Sequence, residues 1–142
     1  MSDKMRALCV EQIKAKMAQV NQRLQTIENP KSFDQIVTHM DSILLLVGQM
    51  VEFEKQYPNI MEPSPKDLYP MMEKSKDIKL ATFALKIADL NIEKAKVVSK
   101  ATTKTSLLDE AKMMVVEAKS LVKNEEFAGK LEAKLAELTN MS

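Results

Sequence analysis

The sequence predicts an all-α protein: a helical bundle of five or six helices, with a Pro-rich connector between an N-terminal helix pair and a longer helical C-terminal half. Three observations carry that expectation. Two glycines and 4% aromatic residues in 142 leave little from which to build strands and hairpins, which draw on β-branched and aromatic side chains and on glycine turns. Apolar residues recur at helical gaps along most of the chain. Prolines punctuate it unevenly, with Pro58, Pro63, Pro65 and Pro70 inside thirteen residues, Pro30 alone, and none after position 70. An apolar content of 45% with near-balanced charge argues against disorder, and the single Cys9 against a disulfide scaffold. The chain reads as one domain overall, organised as a helix pair over 1–55, a connector over 56–66 and a helical half over 67–142.

The first helix is expected from about Asp3 to Glu28, with Ser2 as N-cap and Asn29-Pro30 as the stop. Val10, Ile13, Met17, Val20, Leu24 and Ile27 follow one another at gaps of 3, 4, 3, 4 and 3, an unbroken a/d seam of the kind that packs against another helix. Helix two opens on Ser32 with Gln35 three residues on, a capping box, and runs to about Lys55. Its core face is broad, from Phe33 and Ile36 to Met50 and Val51. Its far side reads Asp34, Thr38, Asp41, then Leu45, with Leu46 on the flank beside His39 and Phe53, so two leucines stand where a polar surface is expected.

Gln56 to Pro65 forms the connector and ends in Ser64-Pro65 with Asp67, a cap, a first-position proline and a first-turn acid. A short helix is expected over about Pro65–Lys74 and a separate one over about Ser75–Lys100. The latter carries a polar stripe of Thr82, Lys86, Asp89, Glu93, Lys96 and Lys100, and enough apolar girth to lie centrally in a bundle. Thr102 to Ser106 reads as a hydroxyl-rich loop, with Ser106 capping a helix that starts near Leu107. Asn124-Glu125-Glu126 reads as a fresh N-terminus for a last helix through Leu138, in preference to one kinked helix.

Twenty-one basic and twenty acidic residues are interspersed; residues 1–70 hold eight and nine, residues 71–142 thirteen and eleven. Nucleic-acid binding rests on clustered cations with stacking aromatics, so none is expected. No signal-peptide stretch follows the first residues, since Glu11, Lys14 and Lys16 interrupt it, and the longest apolar run, Ile43 to Val47, is far short of the roughly 20 residues a membrane span needs. With a lone thiol, these features point to a cytoplasmic or nuclear protein.

Chemistry is scarce in the sequence. One histidine and one cysteine, His39 and Cys9, are placed on different helices, and no Cys-x-x-Cys, second His or EF-hand loop supplies metal ligands, so neither metal nor cofactor is expected. Gly48 and Gly129 are isolated in helical patterns and form no phosphate cradle. Asp109-Glu110 and Glu125-Glu126 are read as first-turn acids at helix starts. Lys96, Lys100 and Lys104 form an i, i+4, i+8 ridge, read as a solvated face. Most of the eleven methionines are read as core filling. Tyr57-Pro-Asn-Ile60, Tyr69-Pro-Met-Met72 and Ser64-Pro65 match short recognition and phosphorylation patterns, with packing of both tyrosines as the default.

The expected function is non-enzymatic: an assembly adaptor or scaffold that offers hydrophobic helix surface to a partner chain or to a second copy, as a homo-oligomer. Val10, Ile13, Met17, Val20, Leu24, Ile27, Leu45 and Leu46 are the expected partner-binding residues. The alternative is a helix-hairpin-repeat-like chaperone or scaffold holding a client peptide in a Met/Ala-rich groove over residues 76–139.

Overall fold

The computed structural model describes residues 2–141, and among them the chain is all-helical, with five helices and no strand. The side chain of Ser2, expected to cap α1, lies outside the described residues. Helix α1 spans Ser2–Thr26, α2 Phe33–Gln56, α3 Pro65–Val97, α4 Ala101–Leu121 and α5 Glu125–Met141. The chain divides into two compact units, Met1–Ser75 and Lys76–Ser142, with the boundary inside α3.

In the first unit α1 packs on α2. The hydrogen bonds Lys16 to Gln49 and Arg23 to His39 fix the direction: as the number rises along α1 it falls along α2, so the two are antiparallel. The turn between them ends in the expected cap. Ser32 Oγ accepts the Gln35 N–H at 3.1 Å, while Gln35 Oε1 reaches back to the N–H of Lys31 at 2.8 Å, one residue before the cap. The first bond satisfies a donor that the start of a helix leaves open, and the second ties the preceding turn to it. Ile27, Ile36, Met40, Ile43 and Met50 are fully buried, each worth about 1.5–3 kcal/mol of hydrophobic transfer. Helix α2 is also long and apolar enough to cross a membrane by length and composition, although its apolar runs are short. Its face from Phe33 to Met50 is buried within the protein.

Residues 57–64 are non-helical, with Asn59 in the left-handed region at φ 64° and a cis Glu62–Pro63 bond. Helix α3 follows, and here the expected pair of helices, Pro65–Lys74 and Ser75–Lys100, is one continuous helix. Pro70 sits inside it. Its ring removes the donor that would serve the Lys66 carbonyl, and Pro70 and Lys66 are both exposed, so the missing bond lies on the outer side of the helix. Pro65 occupies the first helical position, where no N–H is needed, and is fully buried, and Ser64 O accepts from Leu68 N at 2.8 Å.

The second unit is built from α3 beyond Lys76, α4 and α5. Its core is Leu80, Ala81, Ala84, Ala88, Ile92 and Ala95 of α3, Leu108, Ala111, Val115 and Ala118 of α4, and Phe127, Leu131 and Leu138 of α5. The expected loop at Thr102–Ser106 is instead the start of α4, which begins at Ala101 with Lys100 as a cap that makes no side-chain hydrogen bond. The reason lies in the register of the hairpin. Buried Asn91 donates Nδ2–H to Leu107 O at 3.0 Å, so residues 101–106 must run back beside 92–97, where a loop would uncover Ile92 and Ala95. Four exposed residues of modest helix propensity, Thr102, Thr103, Thr105 and Ser106, are carried by that pairing. Helices α4 and α5 are separate, as Asn124 predicts: its Oδ1 accepts from Glu126 N at 2.9 Å and from Phe127 N at 3.4 Å.

Candidate partner-binding surface

The a/d seam of α1 is split by its packing. Ile13, Val20 and Ile27 are buried against the helix pair, whereas Val10, Met17 and Leu24 are only half-buried. One row is seven-spaced and spent inside the unit; the other is seven-spaced and retains solvent contact. Helix α2 covers the first row, and the second row lies at the edge of that contact.

Helical geometry says what lies beside that edge. Residues 39, 46 and 53 of α2 lie on one flank of its core face, and 37, 44 and 51 on the other. The Arg23–His39 and Lys16–Gln49 hydrogen bonds set the Lys16/Arg23 edge of α1 over the first flank. Val10, Met17 and Leu24 are therefore on the side of Val37, Leu44 and Val51, which are likewise half-buried. Six half-buried apolar side chains at heptad spacing border the α1–α2 contact on this side.

Leu45 is 66% exposed on the far side of α2, in the stripe with exposed Asp34, Thr38, Asp41 and Glu52. Leu46 is half-buried on the opposite flank, between half-buried His39 and Phe53. The eight residues read from the sequence thus divide into three interior ones, three edge ones, one fully outward leucine and one flank leucine. Sequence patterning did not single out Met5 and Leu8, both exposed near the start of α1, or Met113 with Val116, an exposed i, i+3 pair on α4; the last two stand in the apolar run Met113–Val116, which marks no single helix face.

The candidate chemical groups are placed apart. Arg23 lies beside His39, and Cys9 is fourteen residues earlier on α1, about 21 Å back along the helix axis. Cys9 is a buried free thiol. Among the described residues no three His, Cys, Asp or Glu side chains converge as metal ligands. Asp109 and Glu110 do not lie at a helix start, because α4 begins eight residues before them; Glu125 and Glu126 do. Lys96, Lys100 and Lys104 form no single ridge, since α3 ends at Val97; Lys96 pairs with Glu93 at 3.2 Å. Met40 and Met50 are core, Met17 and Met114 half-buried, and Met71 and Met113 exposed.

Two polar centres of the second unit hold structure together. Asp77, 7% exposed, accepts from Asn124 N at 2.9 Å and Lys123 N at 3.4 Å, so it fastens the α4–α5 turn to α3. Lys134 bridges Asp89 at 2.7 Å and Glu137 at 2.8 Å. Hydrogen bonding to Asp89, then to Glu137, raises the Lys134 pKa above its ordinary value against a smaller opposing effect of burial.

No protein-family model, no curated protein and no solved structure matches the chain.

Proposed function

We propose that this chain is a non-enzymatic interaction subunit, an adaptor or scaffold that receives a helix from a partner chain or from a second copy. The finer architecture of the proposal is a five-helix bundle in which the Pro-rich segment joins the N-terminal helix pair to the C-terminal helical half. One observation carries the reading: the second row of the α1 seam, Val10, Met17 and Leu24, keeps solvent contact beside the equally spaced Val37, Leu44 and Val51. A third helix with heptad apolar spacing fits such an edge as a knob fits a hole. Leu45 adds an outward contact on the other face of α2. The hairpin-repeat alternative is less well supported, because Ala81, Ala84, Ala88, Ala95, Ala111 and Ala118 are buried between helices and so are not free to line a client groove.

The test separates the two rows. Met17→Asp places a charge at the half-buried row and is expected to abolish self-association or partner capture, read by sedimentation equilibrium and by photo-crosslinking from position 17, with helicity retained. Val20→Asp buries a charge and is expected to unfold the helix pair. A wild-type chain that stays monomeric at all concentrations and crosslinks to nothing from position 17 sinks the proposal.

A further inference from the structure

The first unit holds a cleft of about 260 Å³ at the α1–α2 edge, lined by Gln19, Gln22, Arg23 and Thr26 of α1 and His39 of α2. All five lining side chains are polar and none is acidic. The four α1 residues share one helix face, at gaps of 3, 1 and 3.

Arg23 is half-buried, and its Nη1 lies 3.1 Å from His39 Nδ1. A guanidinium only donates, so the imidazole nitrogen accepts and the ring proton sits on Nε2. The partner of Arg23 in this contact is an imidazole, not a carboxylate. None of the ion pairs among the described residues involves Arg23, which is unusual for a partly buried arginine, since charge withdrawn from water is normally matched by a carboxylate. The Thr26 hydroxyl donates to Gln22 O at 3.0 Å and is spoken for. Four guanidinium N–H groups, the His39 Nε2–H and the amides of Gln19 and Gln22 remain as donors around the cleft, with one positive charge at its side.

We propose that this cleft binds a small phosphate-class oxyanion, with Arg23 as the charged fork and His39 as the group that orients it. A tetrahedral dianion offers acceptors in several directions and takes two parallel N–H bonds from one guanidinium. A planar carboxylate has only two oxygens, both in one plane, so once the fork holds them fewer acceptor directions remain for the amides and the imidazole N–H than a tetrahedral phosphate offers. Lysine at position 23 would keep the charge and lose the two-point geometry.

The experiment is a nuclear magnetic resonance titration of the full chain at constant ionic strength, with inorganic phosphate, glycerol phosphate and acetate as separate arms. The expected result is a saturating shift below about 10 mM phosphate, confined to the His39 ring, the Arg23 Nε–H and the amides of Gln19, Gln22 and Thr26. Acetate is expected to bind at least about tenfold more weakly, a difference of about 1.4 kcal/mol. Preference between phosphate and glycerol phosphate tells a free ion from a phosphomonoester. Arg23→Gln is expected to remove the response while the Ile27 and Met40 methyl signals keep their positions, and His39→Gln is expected to weaken it severalfold. Should Arg23→Gln disturb those methyl signals, Arg23→Lys is the deciding variant, expected to weaken binding about tenfold. A flat titration of the wild-type chain overturns the proposal, as does a saturating shift that survives unchanged in the folded Arg23 variant.

Discussion

Replacing Asp77 tests how the second unit holds its α4–α5 turn. Asp77→Ala removes a carboxylate that is 7% exposed and receives two backbone N–H groups, one at 2.9 Å and one at a weak 3.4 Å. A hydrogen bond to a charged acceptor contributes about 1.5–3 kcal/mol. The longer one adds little, and negative charge at the start of α5 adds about 0.3–1 kcal/mol. Against this, the wild-type chain bears the cost of dehydrating a carboxylate, which the variant escapes. The expected net loss is about 2–3 kcal/mol. Measured by urea unfolding, it appears as a lower midpoint at unchanged slope. Hydrogen exchange localises it, because the amides of Lys123 and Asn124 are expected to lose protection ahead of Val115 and Ala118. Asp77→Asn keeps one acceptor for Asn124 but turns an NH₂ toward Lys123 N, and is expected to fall between wild type and Asp77→Ala. A loss below about 0.5 kcal/mol in the alanine variant, with Asn124 as protected as before, refutes the capping role and makes the carboxylate incidental.

Gly129 lies inside α5, and a Cβ built there meets nothing within 4 Å. Gly129→Ala is expected to stabilise by about 0.5–1 kcal/mol in the same urea assay, since glycine loses the most backbone freedom in a helix. Met40 is fully buried, and Met40→Ala is expected to cost about 2–5 kcal/mol, with calorimetry showing the lower melting temperature. The Lys134 pKa is raised in the folded chain, so the stability it contributes is fully present below the ordinary lysine pKa and is lost as pH climbs through the raised value. Thermal melts of wild type and Lys134→Met from neutral pH upward are expected to converge at the alkaline end; parallel curves would refute the linkage.

Much of the fold was written in local chemistry. Ser32 with Gln35, and Asn124 before two acids, are short-range signals, and each sits at the cap it predicts because a helix start must find acceptors for its open N–H groups within a few residues. Two readings failed where a local signal met a longer-range one. Pro70 carries the strongest helix-breaking propensity, yet it removes only one donor, and it and the residue that loses the bond, Lys66, are both exposed. Thr102 to Ser106 has loop composition, but the residue that decides its structure is Asn91, sixteen positions before the Leu107 carbonyl it holds. Nothing in residues 102–106 encodes that distance. The boundary at Ser75 and Lys76 was equally hidden, because it falls inside an unbroken helix where neither glycine nor proline marks it.

The seam of α1 shows the same division at the level of function. Gaps of 3 and 4 state that a helix will be met along Val10 to Ile27, and α2 meets it. They do not state how many helices, because a row of apolar residues satisfied by one neighbour and a row satisfied by two are spelled identically. Packing breaks the tie: with the Lys16 and Arg23 edge occupied by hydrogen bonds to Gln49 and His39, the pair can close over Ile13, Val20 and Ile27 but not over Met17. Met17, half-buried beside buried Val20, is therefore the residue at which the internal core and the proposed interaction edge separate. A charge there tests assembly, where the same charge three residues on at Val20 tests folding. If both aspartate variants unfold the chain alike, the second row belongs to the core and the helix-receiving edge does not exist.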